Sequence, residues 1–450
     1  MLALSAAHSP TLRPSRACWG GTVPPHWEVR RVGHLAQVGN GSTPRREEGR
    51  FWAEPGCGVP WLNSARINDG HILAADQWVT DLALRECHLP RVNSGSVLVA
   101  ITGEGQTRGR AALLGLDATI SQHLVFLRPL SRIRARFLWR QFQALYAWLR
   151  DQSSGVGSTR AALTCDFLRS IPLAVPPLDE QDAIADFLDR KTAAIDVLIQ
   201  KKERLALALE DERQAVIAKA VTQGLRPSAS LVNSGLPWIG QVPSQWKVAE
   251  LRRIVRPGTS ITYGIVQAGP HVEDGIPYIR TSDMAGERLP LDGYGKTSRE
   301  IDSAYHRSKV AAGDIVVAIR ATVGKALVVP PELAGANLTQ GTAKISPGPH
   351  VLSNYLWYAL RSAPSVQRFE ALAKGVTFRE ITLDMLRRFR IPLPPLAEQE
   401  EICRHLADED VRLLSSRCMV EQSCERLREY RQALITAAVT GQLNVSRDAA

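Results

Sequence analysis

The chain has 450 residues, 44% of them hydrophobic and 22% charged, with a formal net charge of +10. This composition allows two to four domains with a sizeable core and excludes global disorder. The longest apolar runs, such as 96–102 and 315–319, are too short to span a bilayer, so no membrane partner is expected. Seven cysteines, an odd number with no CxxC, fit reduced thiols and a cytoplasmic location.

In chain order, residues 1–18 read as a disordered extension: MLALSAAHSP lacks a basic leader region and is broken by His8 and Pro10. Residues 19–170 form a first mixed, β-rich module, with short β-prone runs such as SVLVAIT and HLVFLRP between Gly, Pro, Asn and Ser clusters. One helix is predicted near its end, Phe137 to Arg150. Residues 171–237 hold a first long helix behind the proline cluster IPLAVPPL. Residues 238–388 form a second β-rich module with a helix at Asn354 to Arg361, and residues 389–450 hold a second long helix.

These segments are two copies of one plan, offset by 218 residues. RQAVIAKAVTQGL (Arg213 to Leu225) matches RQALITAAVTGQL (Arg431 to Leu443) at 8 of 13 positions. Pro176, Pro177, Leu178, Glu180 and Gln181 recur as Pro394, Pro395, Leu396, Glu398 and Gln399. The pattern W-x-G-x-V-P-x-x-W occurs at Trp19 to Trp27 and at Trp238 to Trp246; Trp27 and Trp246 read as core anchors.

Steps of four and three along the first long helix meet Ile184, Leu188, Ile195, Leu198, Leu205, Leu209 and Val216. The same register in the second meets Ile402, Leu406, Leu413, Val420, Leu427, Tyr430 and Leu434. A seam of that period predicts coiled-coil packing, each helix about 43 residues and about 65 Å long. The expected class is therefore α+β, two pseudo-repeated β-rich modules separated by two long helices.

The basic excess lies in the modules. Residues 24–170 carry 18 basic and 12 acidic groups and residues 243–388 carry 19 and 13, whereas each helical region carries 8 and 10. All 18 basic groups of the first module are Arg, whose planar fork suits guanine and phosphate. Two polyanion-binding faces are implied. Catalytic motifs are missing. Gly295-Lys296-Thr297 has Pro290 where a phosphate loop needs Gly, and Gly103-Glu104-Gly105 lacks a dinucleotide-binding frame. Cys418 and Cys424 have no His at ligand spacing, so no metal is expected.

The combination resembles the specificity subunit of type I restriction-modification systems. The residues that carry the likeness are Gly41-Ser42-Thr43-Pro44-Arg45-Arg46 and Val59-Pro60-Trp61-Leu62 in the first module, with Tyr263-Gly264-Ile265-Val266-Gln267 and Ile276-Pro277-Tyr278-Ile279-Arg280 in the second. Each copy closes on Pro-Pro-Leu-x-Glu-Gln and then the Ala-Val-Thr helix end. The resemblance implies a non-catalytic subunit that reads double-stranded DNA through two target-recognition domains, each followed by a long helix, with the two helices packed as an antiparallel coiled coil. It implies two modification subunits that methylate adenine and ATP-driven restriction subunits, with S-adenosylmethionine, ATP and Mg held by those partners and no cofactor here.

Polar and basic groups in Gly- and Thr-rich loops are the expected DNA contacts. They are Thr43, Arg45, Arg46, Asn63, Arg66, Arg108, Gln122, His123 and Arg160, then Tyr263, Gln267, Arg280, Ser282, Arg320, Lys325, Gln340, Lys374 and Arg379. Two other readings stay open on sequence: a self-sufficient methyltransferase or nuclease, and a coiled-coil adaptor that binds RNA.

Overall fold

The computed structural model describes residues 12–15, 17, 21–103, 105–154, 163–227, 229–373, 375 and 379–445. It divides into two compact units, Met1–Lys202 with Gln422–Ala450, and Glu203–Glu421. The division falls inside both long helices rather than at their starts, because the half of each helix near a module joins that module's core.

In the first unit a five-stranded sheet runs Ala36–Asn40, Leu124–Pro129, Val97–Ala100, Ala111–Leu114 and His71–Ile72. The central strands are apolar over their buried lengths, Val97–Ala100, Ala111–Leu114 and residues 124–127, as burial on both faces requires. The two-residue period of a strand divides them between two cores. Val97, Val99, Ala111, Leu113, Val125 and Leu127 face the helix Ala135–Ala144 and the long helices. Leu98, Ala100, Ala112, Leu114, Leu124 and Phe126 face Leu62 and Ile67 beside a second, four-stranded sheet. The second unit repeats the split: Ile315, Val317, Ala343 and Ile345 enter one core, and Val316, Ala318 and Leu327 the other.

The repeated sequence marks are a shared set of hydrogen bonds. Trp27 donates its indole N–H to Glu180 and Trp246 to Glu398, both at 3.0 Å. The buried amide of Gln181 donates to the carbonyls of Arg132 and Pro176 and accepts from the Arg134 N–H. Gln399 does the same with His350, Pro394 and Leu352. Each Gln thereby satisfies three backbone groups that burial would leave orphaned. Arg169 donates to the Val38 carbonyl and Arg387 to that of Ile261, pinning equivalent strands. The Ala-Val-Thr ends pack on the tryptophans: Ala438 and Val439 share a core with Trp27, and Ala220 and Val221 with Trp246.

The long helices span Leu178–Gln223 and Leu396–Val439, 46 and 44 residues. They pair antiparallel within each unit, through Arg431 and Asp196 (2.8 Å) in the first and Arg213 and Asp410 (2.7 Å) in the second. The seam departs from the expected one. Ile184, Leu188, Ile402, Leu406 and Leu413 are buried as expected, and Ile195, Leu209, Val216, Val420, Leu427 and Leu434 are half-buried. Leu198, Leu205 (49% exposed) and Tyr430 (50%) face solvent. The buried stripe runs instead through Ile199, Arg213, Ile217, Cys424 and Ile435, one residue later. A straight helix of 3.6 residues per turn drifts about 20° per heptad from a 3.5 repeat. Over nearly five heptads that drift approaches about 100°, the angle of one residue.

The extension is also partly ordered, against expectation. Arg13–Pro14 pairs antiparallel with Thr22–Val23, and the Arg13 guanidinium donates to the Trp27 carbonyl at 2.6 Å. Leu231–Asn233 pairs with Gln241–Pro243 in the second unit. Each copy thus begins with a two-stranded hairpin whose second strand lies inside the W-x-G-x-V-P-x-x-W motif.

Candidate nucleic-acid interface

In each module four chain segments meet at one end of the sheets. In the first, Ser42 donates its backbone N–H to Ile120, Ser121 to Leu62, and Ile101 to His123, at 2.9–3.0 Å. In the second, Ile265 donates to Leu338 at 2.7 Å, Thr339 to Ile279 at 3.2 Å, and Ile319 to Gly341 at 2.9 Å. The crossing depends on one glycine in each copy. A Cβ at Gly41 would lie 1.8 Å from the Ile120 carbonyl oxygen, and one at Gly264 1.9 Å from that of Leu338. No other residue permits this backbone approach. Both glycines lie in the motifs that carry the family likeness, and their equivalence shows only in the folded backbone.

These bonds gather most of the expected contact residues of each module, but many are engaged within the fold. In the first module Arg66 donates to Asp76 at 2.7 Å and to Asp69 at 3.1 Å. Its hydrogen bonds hold the Asp76 carboxyl below the ordinary range. Asn63 accepts from the Ala65 N–H and caps the turn Ser64–Asp69. The Thr43 hydroxyl donates to Gln122, and His123 shares a 2.8 Å hydrogen bond with Thr102. Arg108, expected as a DNA contact, is buried at 6% exposure, which leaves little of it to meet a ligand. Arg45 stays exposed beside Glu48, 3.7 Å away. Arg46 lies over the indoles of Trp52 and Trp61, with ring centroids 5.5 and 6.0 Å from its guanidinium carbon.

In the second module Arg280 pairs with Asp283 at 2.9 Å, and Ser282 also donates to Asp283. Arg320 pairs with Glu380 at 2.9 Å, and Arg379 donates to the Glu370 carbonyl at 3.2 Å. Lys325 faces Glu287, which also meets Arg361 at 2.7 Å and Arg213 at 3.4 Å. Burial would raise the Glu287 carboxyl, but these three cations outweigh it and hold the pKa low. Gln340 donates its backbone N–H to Ile265. Tyr263 and Gln267 stay exposed, as does the apolar Val266 between them, which is not among the expected polar and basic contacts. Arg160 and Lys374 lie outside the described residues.

Among the described residues no group of His, Cys, Asp and Glu could hold a metal ion. No helix there is long and apolar enough to cross a membrane. The faces offer hydrogen-bond donors, Arg edges and aromatic rings on a fixed backbone, which suits recognition of a polyanion with base edges.

Comparison with known proteins agrees with this geometry. The family model for the type I restriction modification DNA specificity domain matches residues 24–207 and 246–413. The chain is 28% identical over 313 residues to the type I restriction enzyme EcoBI specificity subunit of Escherichia coli, an alignment spanning 68% of this chain and 65% of that one. It is 23% identical over 447 residues to the putative type I restriction enzyme MjaX specificity subunit of Methanocaldococcus jannaschii, covering 94% and 95%. A structure described under complex assembly and conformational transition of the type I R-M system superposes with a TM-score of 0.72 at 18% identity, covering 94% of this chain and 99% of that one. The HsdS subunit of Thermoanaerobacter tengcongensis gives 0.52 at 17%, with the same coverage.

Proposed function

Because this chain belongs to the type I restriction-modification DNA specificity family, we propose that its two four-loop faces each read one half of an asymmetric, two-part target in duplex DNA. It is the DNA sequence-specificity subunit of such a system. The observation that carries the two-part reading is that equivalent backbone crossings at Gly41 and Gly264 hold unlike side chains. Thr43, Arg45 and Arg46 follow the first glycine; Ile265, Val266 and Gln267 follow the second. A single reading surface used twice would give a palindrome, and unlike surfaces give unlike half-sites.

The long helices serve as the spacer that sets the distance between half-sites, and the chain is a scaffold without chemistry of its own. Two modification subunits supply adenine methylation with S-adenosylmethionine, and restriction subunits supply ATP- and Mg-dependent cleavage. The test maps methylated adenines in genomic DNA from cells that carry this chain with its modification subunits. One asymmetric motif of two fixed parts and an unspecified spacer is expected. Purified chain that alone binds S-adenosylmethionine or cuts DNA would overturn the non-catalytic reading. RNA binding at least as tight as duplex binding would overturn DNA as the ligand.

A further inference from the structure

We infer that Arg46 is a base-reading residue of the first module, and that it selects guanine at one position of one half-site. The inference rests on the DNA-reading function proposed above and names the residue and the base class. Three observations place Arg46 apart from its neighbours. First, its contacts are aromatic: it lies over Trp52 and Trp61, whose rings stand at 84° to each other, and it makes no ion pair with a carboxylate among the described residues. A guanidinium held by ring quadrupoles spends none of its N–H donors on a carboxylate, so those donors stay open for a ligand. Arg66, by contrast, has both edges turned to Asp69 and Asp76.

Second, the same two indoles tie down the loop that carries Arg46. Trp52 donates its N–H to the Arg45 carbonyl and Trp61 donates to that of Ser42, both at 3.1 Å. The backbone ahead of Arg46 is further held by the Ser42–Ile120 hydrogen bond. A long side chain ordinarily loses much rotamer freedom on binding; here the platform removes part of that cost beforehand. A fixed planar fork matches the O6 and N7 acceptors of guanine in the major groove, whereas a phosphate accepts a mobile cation equally well.

Third, the second module has no counterpart. Five residues beyond Gly264, where Arg46 stands five beyond Gly41, is Gly269. The first-module strand residue Trp61 is replaced by Tyr278 at the equivalent register, each pairing in parallel with the short strand that precedes the crossing. The guanine contact therefore belongs to one half-site only.

The test compares methylated motifs in cells carrying wild type, Arg46→Ala or Arg46→Lys with the modification subunits. A bidentate guanine contact is worth about 1–3 kcal/mol of discrimination, or roughly 10- to 100-fold. Both variants should lose about that factor of guanine preference at one position, keep every other position of that half-site, and leave the second half-site unchanged. Arg46→Lys keeps the charge and loses the fork, so it separates base from phosphate. Uniformly weaker methylation with no position relaxed, or full discrimination by Arg46→Lys, would show a phosphate contact and overturn the assignment. Arg46 is exposed, so both variants should melt as wild type does. If either misfolds, Trp52→Leu decides: it removes the platform and should relax the same single position, and an unrelaxed motif overturns the assignment. A wild-type pattern without a two-part motif would overturn the parent function along with it.

Discussion

The two modules share a frame and differ in what they display on it. Trp27 and Trp246, Gln181 and Gln399, Arg169 and Arg387, and Gly41 and Gly264 make matched contacts with backbone or carboxylate. The loops beyond the glycines diverge: one carries an arginine pair beside two indoles, the other Val266 and Gln267 beside Tyr263. Residues that hold the backbone are constrained by geometry, because a crossing within van der Waals distance admits one solution. Residues that face a ligand are constrained by that ligand alone, and two half-sites give two answers.

The comparison breaks most sharply at the glycines. Gly41→Val and Gly264→Val each force a side chain into a backbone carbonyl, so each should cost more than about 4 kcal/mol in denaturant unfolding. Equal losses in the two modules support the shared frame. A large loss in one and none in the other would show that the crossings are not equivalent.

Next come the buried amides. Gln181→Ala and Gln399→Ala each strand three backbone groups, and each should destabilise by about 2–4 kcal/mol. The two values should agree within about 1 kcal/mol. Neither variant should alter the bases read in the target, because neither residue lies on a reading loop.

The smallest effect sharpens a difference. Among the described residues, only the second module has such a cluster, Glu287 with Arg213, Arg361 and Lys325. Against the rise that burial would cause, the three cations hold the folded Glu287 carboxyl below its ordinary value, so its stabilisation is present above the unfolded value and is lost as pH falls through the folded one. Calorimetry from pH 6 to pH 3 should show Glu287→Gln flattening the acid limb. The shift should be about 1–2 °C, because more than half of the side chain meets solvent.

Much of the frame was legible because it repeats. The Pro-Pro-Leu-x-Glu-Gln turns and the paired tryptophans marked it, and their hydrogen bonds explain why those residue types are needed. The helix seam was legible at the start of each helix and misread further along. A 3.5-residue template cannot follow a straight helix for five heptads, so Leu205 was assigned to the seam when Ile199 and Ile217 hold it. The reading faces were the least legible. Arg66 and Arg46 look alike in sequence, and what separates them is that Asp76, ten residues on, folds back onto Arg66. Charge in a loop predicts attraction to a polyanion; tertiary neighbours decide whether that charge is still open to one.

The most direct test of two independent modules on a helical spacer is to lengthen the spacer without touching either module. Four residues, about one helical turn, would be inserted in both long helices, between Lys202 and Glu203 and between Glu421 and Gln422, where the two compact units divide. Each helix then gains about 6 Å and turns its far end by about 40°. One base pair spans about 3.4 Å. The methylated motif, mapped by sequencing, should keep both half-sites and gain a spacer one or two base pairs longer. An unchanged spacer, or a changed base within either half-site, would contradict the account.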